Sequence, residues 1–165
     1  LILNLFLEKS EVNIPSWLVI GAVTIVVAMA GSLLSAQDRR WFSRLRRPQW
    51  LTFEAAIPFI WIFVFICGAW SAYLVWEATA SWFLMAFYLL VEVLIIAYTP
   101  VMCKLRSLRV GTIIGGTGFF FGLLLALTIF PISRWATLLL LPYLLWSPIG
   151  TYVTWQMMRL NPADS

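Results

Sequence analysis

The chain has 165 residues, 62% of them hydrophobic and only 11% charged, with a formal net charge of +4. Such a composition lies far from that of an average soluble domain, and the absence of histidine removes the usual zinc sites, Ser-His-Asp catalysis and His-ligated haem. Cys67 and Cys103 fall within or at the end of apolar runs, without a C-x-x-C spacing, so neither a disulfide framework nor a metal site is expected.

A membrane-crossing helix needs about 20 mostly apolar residues. Runs of that kind extend over Ile14 to Ser35, Phe53 to Trp76, Trp82 to Cys103, Val110 to Phe130 and Trp135 to Met158. The expected fold class is therefore all-α, an integral membrane bundle of five transmembrane helices. It forms a single domain over 14–161, between an interfacial lead-in at 1–13 and a tail at 162–165.

In chain order, the lead-in carries Glu8, Lys9 and Glu11 after an apolar start. Because further spans follow it, the first run reads as a retained helix and not as a secretory signal. The start at Leu1 reads as a trimmed or fragmentary N-terminus. Pro15 suits a first helical turn. Gln37 to Thr52 is the longest polar connection, in which Trp41, Phe42 and Trp50 alternate with arginines, and it is expected to be partly ordered against the membrane. Thr52 can cap the second helix, and Glu54 in its first turn suits the helix dipole.

Within the spans, Pro58 stands three residues before Trp61 and Pro142 four before Trp146. Two proline kinks beside large aromatics can shape a flat pocket for a planar apolar ligand, and ordinary bundle packing is the alternative. Trp17, Trp41, Trp76, Trp82 and Trp135 lie near span ends and read as interfacial anchors. Glu92 is the only charged residue deep within an apolar run. Two readings stand: a protonated carboxyl bonded to Tyr88 one turn earlier, or a site for proton transfer or a polar ligand group. Gly111, Gly115, Gly118 and Gly122 trace one face of the fourth span, for packing inside the bundle or as a dimer face. No internal repeat supports a duplicated transporter fold.

Basic residues near helix ends are retained on the cytoplasmic side. Nine of the eleven fall in the first loop, the third loop or beyond the last span, and only Lys9 and Arg134 fall opposite. The N-terminus is thus expected outside and the C-terminus in the cytoplasm. Basic loops this short beside a membrane do not point to nucleic acid.

Trp41-Phe42-x-x-Leu45-x-x-Pro48-x-Trp50 followed by Pro58-x-x-Trp61 resembles the start of the TspO/MBR family, the tryptophan-rich sensory proteins that include the mitochondrial translocator protein. Leu141-Pro142-Tyr143-Leu144-x-Trp146, ending in Arg159-Leu160-Asn161, is similar to that family's fifth helix, and Tyr98-Thr99-Pro100 aligns with a Trp-Ser-Pro of its third. The resemblance implies a five-helix bundle, often dimeric, with a pocket open toward the first loop and links to tetrapyrrole and stress regulation. It implies ligand-binding positions at Trp50, Pro58, Trp61, Tyr98, Tyr143, Trp146 and Gly150, with Trp50 in the covering loop. No cofactor is obligatory, porphyrin or haem being a ligand. The implied partners are membrane lipid, a planar hydrophobic molecule such as a porphyrin or a sterol, and a second copy of the chain. A transporter coupled through Glu92 and a light-dependent porphyrin-degrading enzyme are the alternatives to a binding and regulatory role. The chain departs from the family at Leu51-Thr52-Phe53, at Val91 and Ile95, and at Val153-Thr154, while Tyr152 to Arg159 is one residue too long for the family's sterol motif.

Overall fold

The computed structural model describes residues 14–31 and 33–164, so the expected lead-in lies outside the described residues. The helices are α1 (Ser16–Ala30), α2 (Ala36–Arg44), α3 (Ile57–Thr79), α4 (Trp82–Leu105), α5 (Leu108–Ile129), α6 (Arg134–Leu139) and α7 (Leu141–Leu160). Single 3-10 turns at Glu54–Ala56 and Pro162–Asp164 precede α3 and follow α7. Among the described residues, four stretches are long and apolar enough to cross a membrane: α3 with its leading turn, α4, α5, and α6 with α7.

The first apolar helix is shorter than its run suggests. Its 15 residues rise roughly 22 Å at 1.5 Å each, against an apolar bilayer core of about 30 Å. The expected end at Ser35 is overturned because Ser35 starts a different helix. Its hydroxyl accepts from the Asp38 N–H at 3.1 Å and the Asp38 carboxylate accepts from the Ser35 N–H at 3.3 Å, a capping box that opens α2.

The kink expected at Pro58 is overturned: Pro58 sits in the first turn of α3, where the missing N–H has no partner to lose, so it starts that helix and does not bend it. Pro142 likewise sits in the first turn of α7, and the break in the fifth span falls just before it, at Leu140 between α6 and α7. The prolines inside helices are Pro100 of α4 and Pro148 of α7. Thr52 does not cap: Phe53 holds that position without a side-chain hydrogen bond.

The bundle is a ring in which α1 touches α3 and α4, α4 touches α5, α5 touches α7, and α6 and α7 return to α3. Lipid supplies no hydrophobic drive for helix association, so close packing and hydrogen bonds must hold the ring together. The glycine face of α5 supplies the packing. A Cβ at Gly111 would lie 2.4 Å from Met102 Sδ of α4 and 3.3 Å from Thr154 Cγ2 of α7. One at Gly115 would meet Thr151 Oγ1 at 2.5 Å and Tyr98 Cε2 at 3.2 Å, and ones at Gly118 and Gly122 would meet the Tyr143 ring at 3.0 and 2.3 Å. All four positions thus meet side chains of other helices of the same chain, the packing inside the bundle that is one of the two readings of this stripe.

Hydrogen bonds tie the other walls. Ser71, 0% exposed on α3, donates to the Ala136 carbonyl of α6 at 2.7 Å. Its single proton is thereby used, so Tyr88 of α4 donates to Ser71 Oγ at 2.6 Å. Tyr88 is therefore not the partner of Glu92. Glu92 Oε1 instead accepts from the Thr24 hydroxyl at 2.8 Å, which joins α4 to α1.

Gly122→Ala drives a methyl into the rigid Tyr143 ring, and overpacking of this kind costs about 1–3 kcal/mol. Gly116→Ala, on the same helix with nothing within 4 Å of the new atom, is its control. Thermal unfolding in detergent should show a clear fall in Tm for the first and none for the second. A folded Gly122→Ala protein with unchanged Tm that had lost self-association would return the stripe to a dimer seam.

Candidate functional site

At 100° per residue, Tyr143, Ser147, Thr151 and Thr154 form the line of α7 turned to α5. Trp146, Gly150, Val153 and Met157 then fall on the neighbouring flank. The first loop covers that side of the helix. Phe53 stands 6.3 Å from the Trp146 ring in an edge contact, although Trp146 lies fourteen residues before Leu160, roughly 21 Å along the axis. The loop is thus folded into the bundle and does not merely cross its end.

Several contacts hold it there. Trp50 stacks on Tyr152 at 6.1 Å, and its Nε1–H donates to Gln156 Oε1 at 2.6 Å. Gln156 in turn donates from Nε2 to the Tyr152 hydroxyl at 2.8 Å, so one side chain fixes both rings. Arg47 donates to the Phe42 and Leu45 carbonyls at 2.9 and 2.7 Å and to the Glu54 carboxylate at 3.0 Å, with its guanidinium over the Phe42 ring. At the C-terminal end, Asn161 Oδ1 accepts from the Arg46 N–H and Nδ2 donates back to the Arg46 carbonyl, at 2.9 and 3.0 Å. Trp41 is 2% exposed, packs with Met102, Cys103 and Met157, and donates from Nε1 to Asp164 at 2.7 Å. Its expected role as a headgroup anchor is therefore replaced by one in the core of the loop.

The expected ligand positions separate into two groups. Trp146, Gly150 and Trp50 lie on the loop side of α7. Trp146 Nε1 is buried without a hydrogen-bond partner among the described residues, and a Cβ on Gly150 would meet nothing within 4 Å. Trp61 is half-buried on α3, which adjoins α7, and its ring lies 6.3 Å from Phe65. Tyr143 and Tyr98 are placed elsewhere. Tyr143 is spent on the α5 glycines. Tyr98 hydrogen-bonds the Thr154 hydroxyl and reaches the Gly150 carbonyl at 3.4 Å, tying α4 to α7. Pro58 is exposed at the head of α3. Glu92 stands at the α1–α4 contact, on a wall other than the α7 flank.

Sequence reasoning passed over Phe53, Gln156 and Asp164. Gln156 had a legible signal, a long polar side chain near the end of an apolar run. It also missed a shallow outward groove of about 340 Å³ between α5 and α7, lined by Thr112, Gly116, Phe119, Tyr152 and Trp155. Arg159 stacks over Trp155 at 4.0 Å.

These features define a helical multi-pass membrane protein whose first loop is folded against its last helix over a half-buried tryptophan with a buried indole N–H. The chain belongs to the TspO/MBR family, whose profile matches residues 8–160. It is 25% identical to the tryptophan-rich sensory protein of Cereibacter sphaeroides over 134 residues, covering 81% of this chain and 84% of the relative. It is 25% identical to the tryptophan-rich protein TspO of Bacillus cereus over 162 residues, 95% of this chain and 100% of the relative. It is 26% identical to an uncharacterised membrane protein, YtaB, of Bacillus subtilis over 150 residues, 87% and 95% of the two chains.

Proposed function

We propose that the protein binds a planar apolar ligand of the porphyrin class on the Trp146 flank of α7, beneath the first loop, and acts as a regulatory, sensor-type membrane protein. The observation that carries this reading is the unpartnered Trp146 Nε1–H. A buried donor without an acceptor costs about 1–3 kcal/mol, and a ligand heteroatom would satisfy it. Gly150 leaves space beside that indole, while Phe53 and the adjoining helix that carries Trp61 supply rings for stacking. The name of the Cereibacter sphaeroides relative supports the sensory role.

Titration with protoporphyrin IX, followed by tryptophan quenching, tests the site. Trp146→Phe keeps an aromatic ring but removes the donor together with part of the ring surface, so affinity should fall about five-fold in a protein that stays folded. Trp61→Leu should also weaken binding. Trp76→Leu should not, because Trp76 packs on Trp82 across the α3–α4 turn, 4.9 Å between rings. Wild-type affinity in both Trp146→Phe and Trp61→Leu would place the ligand elsewhere.

We infer from the basic bias that the α2 loop and the C-terminus face the cytoplasm. Both native cysteines are buried and give little background. In intact cells an impermeant maleimide should label Ala78→Cys and spare Ser43→Cys, and the opposite pattern would reverse the orientation.

A further inference from the structure

A cleft of about 170 Å³ opens between α2 and the turn that joins α4 to α5, lined by Gln37, Arg40, Trp41, Arg44 and Arg106. Three of its five residues are cationic. Arg44 shares its charge with Asp164 at 2.9 Å, whereas the guanidinium groups of Arg40 and Arg106 have no hydrogen bond or ion pair among the described residues. No carboxylate lines the cleft. Asp38, on the same helix, is engaged by Ser35, and Asp164 is engaged by Arg44 and Trp41.

Arg106 is also where a glycine would be expected. It caps α4 with φ 51°, its N–H on the Cys103 carbonyl and the Ser107 N–H on the Met102 carbonyl. A left-handed cap disfavours any residue with a Cβ, and glycine is its usual occupant. An arginine there sets a strained backbone position and a free cation at the mouth of the cleft. Exposed leucines stand among the charges on this side: Leu105 is 59% exposed beside Arg106, and Leu33, just before α2, is 79% exposed. The cleft therefore stands where the apolar spans end.

We propose that this cleft binds the phosphomonoester headgroup of an anionic lipid. A phosphomonoester carries about −1.5 to −2 charges, which matches the two free guanidinium groups and the shared third. Guanidinium forks bind phosphate oxygens in pairs, and Gln37 adds an amide donor. The flanking leucines favour a lipid over a soluble phosphate, since they offer contact for acyl chains. This site is separate from the α7 flank and does not rest on the porphyrin reading.

Native mass spectrometry of the purified full chain in detergent tests it with dioleoyl phosphatidic acid, and with dioleoyl phosphatidylcholine as reference. Arg40→Gln/Arg106→Gln should weaken phosphatidic acid binding about ten-fold or more and leave phosphatidylcholine unchanged. Lys104→Gln/Arg109→Gln removes two charges from the same side but outside the cleft, and should weaken it less than about two-fold, since exposed charges are screened. Arg106→Gly should bind phosphatidic acid more weakly at a Tm no lower than wild type, a pair of readouts that misfolding cannot produce. Millimolar inorganic phosphate should compete poorly. Full competition would assign the site to soluble phosphate and overturn the lipid proposal. Equal phosphatidic acid affinity in wild type and Arg40→Gln/Arg106→Gln, or an equal loss in the Lys104/Arg109 pair, would overturn it as well.

Discussion

Everything on the working side of the bundle depends on how closely α5 lets its neighbours approach. Glycine at 111, 115, 118 and 122 removes the side chains that would hold α4 and α7 away, and Tyr143, Thr151 and Thr154 fill the space. Seating these three residues fixes the rotation of α7. Once that rotation is set, the helical period carries Trp146 and Gly150 to the neighbouring flank, where the first loop reaches them. The indole of Trp146 is thus positioned by contacts on a different face of its helix.

The loop is as much a part of the fold as the spans. Asn161 clamps the Arg46 backbone in both directions, Asp164 receives Trp41 and Arg44, and Gln156 holds Trp50. These partners are all on or beyond the last two turns of α7, so the C-terminal end acts as the scaffold of the first loop. Opening the loop near Phe53 need not disturb that clamp, because Trp41 and Leu45 are anchored separately in the core around Met102 and Met157. A ligand on the Trp146 flank can therefore displace Phe53 while α2 stays in place.

Length and apolarity made the spans legible, because a run of apolar residues long enough to cross a bilayer has few other uses. Where reading failed, the information was either ambiguous or distant. A proline near the head of an apolar run can start a helix or kink one, and only the true helix boundary decides, as at Pro58 and Pro142. A glycine stripe announces close approach without saying whose helix approaches. Glu92 was picked out as costly to bury, but its partner Thr24 is sixty-eight positions away and no local pattern could point to it. Trp146 was legible as unusual because it lies mid-span, where an interfacial anchor has no reason to be. Its missing hydrogen-bond partner, the feature that gives it chemical meaning, exists only in three dimensions.

The central claim is that the Trp146 flank is a ligand site closed by the first loop. The most direct measurement is an experimental structure of the protein with protoporphyrin IX bound. The account predicts the macrocycle against the Trp146 indole, with an acceptor within hydrogen-bond reach of Nε1, the Phe53 ring displaced, and α2 still clamped by Asn161 and Asp164. A macrocycle in the outward groove between α5 and α7, with Phe53 unmoved and Nε1 still unpartnered, would contradict it.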